Sequence, residues 1–269
     1  MWIFGEIMKF QIRKLGAWCL FGIWCVLLQV SVSHASPKPA YNWVLLYDGI
    51  VYTKYSFEVG EKQNTTIHAF QIDPAKVKMD VVTADSTRPE GATAEEMANR
   101  KKAAIVINGG FFTELHKSIG LLVQSGKTIN PMHKTSWWSV FGLKNGVPFI
   151  ATPKEFEKSP DMKMAIQAGP RLAVDNAIPK LKEGLAHRSA VGITKDNKVI
   201  LVVTDGAPIS LKELARRMKN SRYAGGLECP NAMAFDGGGS TQLYAKIKKF
   251  ELSIEGLSYI TNGLAVFIK

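Results

Sequence analysis

Cysteine is scarce in this sequence, with three residues in 269, at Cys19, Cys25 and Cys229. That excludes a disulfide-stapled scaffold. Histidine is scarce too: of five residues, His68, His116, His133 and His187 lie beyond the first fifty, none at i, i+4 spacing and none paired with cysteine. A zinc site is therefore not expected. The familiar catalytic signatures are missing as well. There is no G-x-S-x-G elbow, G-x-G-x-x-G fingerprint, Walker loop, H-E-x-x-H or C-x-x-C. Long apolar runs are absent after the N-terminal region, as are internal repeats and linkers. What is plentiful is hydrophobic residues, at 46% of the chain, which excludes wholesale disorder, while the length suits one large domain or two small ones.

The N-terminus has a structure of its own. Lys9, Arg13 and Lys14 precede an almost uncharged apolar run over 15–32, followed by Ser33-His34-Ala35 with small residues at −3 and −1. A basic segment, an apolar segment and a small-residue exit predict a secretory signal peptide over 1–35, cleaved after Ala35. The alternative is an uncleaved anchor, since the run approaches the length that spans a bilayer. Cleavage leaves 36–269 as the working domain, in the periplasm or secreted, with no stable membrane span. It also leaves Cys229 as the one cysteine, expected to be a buried small hydrophobe rather than a free thiol.

Acidic residues are outnumbered, 23 against 34 basic, for a formal charge of +11. Such a balance invites a nucleic-acid reading, but the basic residues are scattered over 76–78, 100–102, 216–217 and 246–249 without interleaved aromatics. No nucleic-acid partner is expected. A basic envelope protein meeting anionic glycans or phosphates fits better.

Period-2 alternation predicts strands over 51–59, 65–72, 77–83, 104–108, 138–143, 147–150, 189–194, 199–204, 232–235 and 264–268. Asn145-Gly146 and Asp196-Asn197 read as hairpin turns. Thr93 with Glu96, and Ser210 with Glu213, read as capping boxes that open two helices. Few helices among many hairpins predict an α+β domain with a largely antiparallel or mixed sheet core.

Two glycine loops each follow a predicted strand: Asn108-Gly109-Gly110-Phe111-Phe112 and Asp236-Gly237-Gly238-Gly239-Ser240-Thr241. Consecutive glycines let backbone N–H groups turn into an anion-binding concavity. The plainer alternative is a pair of tight strand exits that need positive φ. Trp137, Trp138 and Phe141 form an aromatic group read as core packing rather than a sugar platform.

Taken in order, N-G-G-F-F from Asn108, G-P-x-L from Gly169, R-S-A-V-G from Arg188, T-D-G from Thr204, L-x-E-L-A-x-x-M from Leu211 and D-G-G-G-S-T from Asp236 resemble the phosphodiester glycosidase domain family. Residues 41–103 carry strand character without a diagnostic motif. The resemblance implies a hydrolase of GlcNAc-1-phosphodiester-like linkages acting at the anomeric carbon, with a sugar-phosphate or phosphoglycan as partner. A non-catalytic phosphoglycan-binding or envelope-biogenesis protein on the same scaffold is the rival reading.

Under that resemblance Asp236 is the first candidate for the catalytic carboxylate, Asp205 the second and Glu114 the third. Turn capping competes for the two aspartates, and plain solvation for Glu114. Arg188 is the candidate phosphate clamp, with a structural ion pair as its alternative. Asn108, Gly109, Gly110, Gly237, Gly238, Gly239, Ser240 and Thr241 complete the expected substrate cradle. No cofactor is expected, although a weak Mg²⁺ or Ca²⁺ bridge between carboxylates and phosphate stays open.

Overall fold

Strand Val199–Gly206 is apolar at nearly every position up to Val203, because both of its faces are covered. Val199, Leu201 and Val203 point into a central cluster, while Ile200 and Val202 point the other way, toward a helix. The strand sits in the middle of a seven-stranded sheet. Its order is Val44–Tyr47, Ile50–Val59, Gln63–Ile72, Val199–Gly206, Ser189–Ile193, Asn231–Ala234 and Arg171–Ala173. The computed structural model describes residues 38–268 apart from Ser86, Arg88, Pro89 and Lys158. The signal-peptide reading over 1–35 lies outside them.

A five-stranded sheet runs Phe250–Ile254, Leu243–Ile247, Ile105–Asn108, Asn262–Phe267 and Lys78–Thr83. Another runs Lys127–Asn130, Leu122–Gln124, Met162–Ala168, Ser139–Lys144 and Val147–Ala151. All three sheets feed one apolar core, with Phe70, Leu201 and Met233 from the first, Ile107 and Leu264 from the second, and Phe141 and Ile166 from the third. Every strand pair recorded among the described residues is antiparallel, including the short ribbon Leu185–Ala186 with Ile209–Ser210. With two α-helices and many hairpins among the described residues this is the expected α+β class, and those residues belong to one compact unit.

Helix α1 (Ala94–Lys101) is closed at its N-terminus by the expected reciprocal box: Glu96 N donates to Thr93 Oγ1 at 3.1 Å, and Thr93 N donates to Glu96 Oε2 at 2.8 Å. Helix α2 (Leu211–Lys219) makes only half of its box. Glu213 N donates to Ser210 Oγ at 3.1 Å, but the Glu213 carboxylate turns away to Arg217 Nε at 2.7 Å and Arg216 Nη1 at 3.2 Å. Two guanidiniums in the following turn outcompete one backbone amide. The α2 stripe of Leu211, Leu214, Ala215 and Met218 packs on the outer face of the seven-stranded sheet, and α1 covers the outer face of its five-stranded neighbour.

Cys229 is fully buried under α2, where desolvation pushes its thiol pKa up. The basic stretch 246–249 is the tip of the hairpin joining Leu243–Ile247 to Phe250–Ile254, with Lys248 at φ 53° and Lys246 paired to Glu251 at 3.2 Å. The Asn145-Gly146 hairpin has φ of 54° and 78°, as a type I′ turn requires.

Candidate active site

Strands Ile105–Asn108 and Asn231–Ala234 belong to different sheets, and each runs out into one of the glycine loops. The loops meet. Asp236 N donates to Gly109 O at 2.9 Å, and Asn108 Nδ2 donates to Asp236 O at 2.7 Å. Asn108 is fully buried and its Oδ1 accepts from Ser189 Oγ at 2.5 Å and Gln242 N at 3.1 Å. Both ends of this amide are satisfied, so it works as a rigid tie between the sheets.

The glycines serve close approach more than positive φ. Among the five in the two loops only Gly238, at φ 62°, adopts the left-handed region, which corrects the reading of both loops as exits needing it. A Cβ at Gly109 would strike Asn262 Oδ1 and Ile166 Cδ1, and one at Gly110 would strike the carbonyl of Gln167. Gly237 lies under the next strand's entry, where a Cβ would stand 3.0 Å from His187 O and 3.6 Å from Arg188 Nη1. The expected amide concavity is also largely used internally. Gly237 N bonds Asp236 Oδ1 at 3.0 Å, Gly238 N bonds His187 O at 2.9 Å, Ser240 N bonds Gly237 O at 3.3 Å and Thr241 N bonds Gly238 O at 3.1 Å. The run of glycines therefore builds a compact turn that presents Asp236, rather than an open ring of donors.

Asp236 is largely buried. Desolvation raises its pKa, against the opposing pull of hydrogen bonds from the Ser240 hydroxyl and the Gly237 amide. Arg188 enters the same space from the start of strand Ser189–Ile193. Its Nε donates to Ile209 O at 3.0 Å and its Nη2 to Gly184 O at 2.8 Å, and burial lowers its pKa. Among the described residues no carboxylate pairs with it, so the structural ion pair is not what holds it. Carbonyl dipoles orient the guanidinium and leave its positive charge uncancelled. Thr204 fixes the main chain of Arg188, its Oγ1 accepting from the backbone N–H at 2.8 Å.

Asp236, Gly237, Gly238 and Arg188 line a cavity of about 460 Å³ whose other walls are mainly apolar, with Phe111 and Trp137 among them. That volume suits a small ligand. Trp137 is half exposed there, while Trp138 and Phe141 are buried, so the aromatic group divides between site and core. A larger cleft of about 910 Å³ lies past the other end of strand Ser189–Ile193, beside Lys195 and Arg222, and contains none of the glycine-loop residues.

The remaining candidates are placed as follows. Asp205 is exposed, caps its own turn through Gly206 N at 2.8 Å and does not line the cavity; in its T-D-G motif Thr204 is the residue that touches Arg188. Glu114 is exposed and also outside the lining. Asn108, Gly109 and Gly110 lie behind the cavity wall as its frame, and Gly239 packs toward Ser258. Ser240 is buried against Asp236, and the Thr241 hydroxyl is buried with no hydrogen-bond partner.

Sequence reasoning did not single out Asn262 and Gln167. Asn262 Oδ1 accepts Gly110 N at 2.7 Å, and Gln167 Oε1 accepts both Leu121 N and His133 N at 2.9 Å. A buried amide leaves little trace in one sequence, although Gln167 stands two residues before the Gly169-Pro170 pair. Lys180 and Lys182, which also line the cavity, sit in a stretch with no periodic signal. Among the described residues no three His, Cys, Asp or Glu side chains cluster as a metal site, and no helix is long and apolar enough to cross a membrane.

The fold and the site define an antiparallel β domain in which two glycine loops bring one carboxylate and one guanidinium to an apolar cleft. Residues 101–267 match the phosphodiester glycosidase family, and the chain belongs to it. The catalytic domain of zebrafish N-acetylglucosamine-1-phosphodiester alpha-N-acetylglucosaminidase superposes with a TM-score of 0.63 at 16% identity, over 87% of this chain and 85% of that one. A hypothetical protein from Synechocystis superposes with a TM-score of 0.59 at 16% identity, over 86% of this chain and 64% of that one. Both likenesses are of fold. In sequence, the protein YigE of Escherichia coli K12 is 23% identical over 158 residues, 53% of this chain and 62% of that protein. The chain thus spans somewhat under two thirds of the curated relative it matches.

Proposed function

We propose that this protein is an exported hydrolase that cleaves the glycosidic bond of a sugar-1-phosphodiester in an envelope or extracellular glycan. The observation that carries the proposal is the joint presence of the Asp236 carboxyl and the unpaired Arg188 guanidinium in one 460 Å³ cavity. Arg188 holds the phosphate, planar donor fork against tetrahedral oxygens. The sugar lies against the Phe111 and Trp137 wall. Asp236, in its ionised form, faces the anomeric carbon, stabilises the positive charge that develops there, and either attacks it or takes a proton from the incoming water. A phosphate ester departs more readily than an alcohol, so a second carboxyl acting as general acid is not needed. This agrees with Asp236 being the one carboxyl among the residues lining the cavity.

The test is release of reducing sugar from a GlcNAc-1-phosphodiester by the purified protein, with Asp236→Asn and Arg188→Ala alongside. Activity in the wild type and its loss in both variants supports the reading. Identical behaviour of all three overturns it. Glycan binding without turnover in the wild type identifies the non-catalytic binding protein instead.

A further inference from the structure

The cavity is also lined by residues 180–182 of the segment 178–184, for which neither the motifs nor the proposed chemistry has a use. Leu181 in its middle packs into the apolar cluster beneath α2 and at the same time lines the cavity. Lys180 and Lys182 flank that anchor and both line the cavity. The Lys182 ammonium lies 5.9 Å from the centre of the half-exposed Trp137 ring, within cation–π distance. The same segment ends in Gly184, whose carbonyl receives Arg188 Nη2 at 2.8 Å. One short segment thus orients the half-buried guanidinium and adds two further cations to the cleft.

The charge balance is what needs explaining. A phosphodiester carries one negative charge, and Arg188 matches it. Asp236 is the one acidic residue in the lining and, ionised, offsets one of the cations there. Glu183 lies on the segment but outside the lining, and neither lysine has an acidic partner among the described residues. Arg188, Lys180 and Lys182 set against an ionised Asp236 and one phosphodiester leave one positive charge in the lining beyond what the scissile phosphate requires.

Resting on the hydrolase reading above, we infer that segment 178–184 selects substrates whose aglycone carries a second anionic group next to the sugar-1-phosphate, as a sugar diphosphate ester does. Arg188 takes the inner phosphate and Lys180 with Lys182 takes the outer one. A nucleoside diphosphate sugar and a lipid diphosphate sugar share this chemistry, and separate arms of the experiment distinguish them.

Three probes are compared under steady-state conditions: methyl GlcNAc-1-phosphate diester, UDP-GlcNAc and farnesyl-diphospho-GlcNAc. The enzymes are wild type, the Lys180→Ala/Lys182→Ala double variant and Lys182→Glu. The wild type is expected to favour at least one diphosphate probe over the methyl ester by about tenfold in kcat/KM, through KM. The double variant loses that preference while its rate on the methyl ester stays within about threefold, and Lys182→Glu reverses it. Which diphosphate gains identifies the source. Equal kcat/KM on all three probes in the wild type overturns the inference while leaving the hydrolase reading intact. So does an equal loss on methyl ester and diphosphate in the lysine variants. Absence of turnover on every probe removes both.

Discussion

The side-chain nitrogen of Asn108 donates to the main-chain carbonyl of Asp236 at 2.7 Å across a sequence separation of 128 residues. Since Asp236 N in turn bonds Gly109 O, the proposed catalytic carboxylate is aimed by a strand of another sheet. Replacing Asn108 with Ala removes one buried donor and an acceptor shared by Ser189 and Gln242. The expected cost is ~2–4 kcal/mol of stability, read from urea unfolding, with activity falling further than the folded fraction does.

The glycines should separate into two classes. Gly110→Ala drives a Cβ into the Gln167 backbone, which has no side-chain freedom to yield, and should cost more than ~3 kcal/mol or abolish folding. Gly238→Ala faces open space and bears only the positive-φ penalty, ~1–2 kcal/mol. Paired urea midpoints check the ordering, and equal losses would contradict it.

Asp236 gives a pH signature. Its pKa is higher in the folded protein than in the unfolded chain, so the native state binds the extra proton, and stability falls as pH rises from the ordinary aspartate range through the raised value. Asp236→Asn should therefore be at least as heat-stable as wild type at pH 7 while losing hydrolysis. The wild-type rate should drop as pH is lowered through the raised pKa, an acid limb above the usual carboxylate position. Tm at pH 5 and pH 7 for both proteins, with a kcat/KM profile, tests each half.

Arg188→Lys keeps the charge but cannot bond Ile209 O and Gly184 O while still presenting a two-donor fork to a ligand. A loss of roughly tenfold or more in kcat/KM, mainly through KM, is expected on phosphodiester substrates. Full activity in this variant would show that only net charge matters there.

At the start of α1 the reciprocal box makes Thr93 and Glu96 act together. Thr93→Ala should cost ~1 kcal/mol, and the Thr93→Ala/Glu96→Ala double variant less than the sum of the singles. A double-mutant cycle by thermal unfolding measures the coupling.

What could be read from the sequence follows from how local the signal is. Strands such as Val199–Gly206 and Ile50–Val59 and the Thr93 cap announce themselves within ten residues. Leu243–Ile247 and Phe250–Ile254 do not, because Lys246 and the 248–249 turn interrupt their apolar pattern at a hairpin tip. In the site, Asp236 and Arg188 were legible as polar residues beside glycine-rich or motif-bearing strand ends. Asp205 has the same local appearance yet faces solvent, since direction depends on which side of the sheet a strand's last residue falls. Asn262 and Gln167 matter only through partners far away in the chain, and such distance is invisible to local pattern.

The sheet order also bears on how the protein can be cut. Residues 65–72 of strand Gln63–Ile72 pair with the whole of Val199–Gly206, and Lys78–Thr83 pairs with Asn262–Phe267. Both lie before residue 101, where the family match begins. A fragment trimmed to that match would leave the backbone of Val199–Gly206 and of Asn262–Phe267 unpaired on one side, two long apolar edges that invite association between molecules. A soluble working fragment therefore has to start before Val44, and one starting at residue 101 is expected to precipitate.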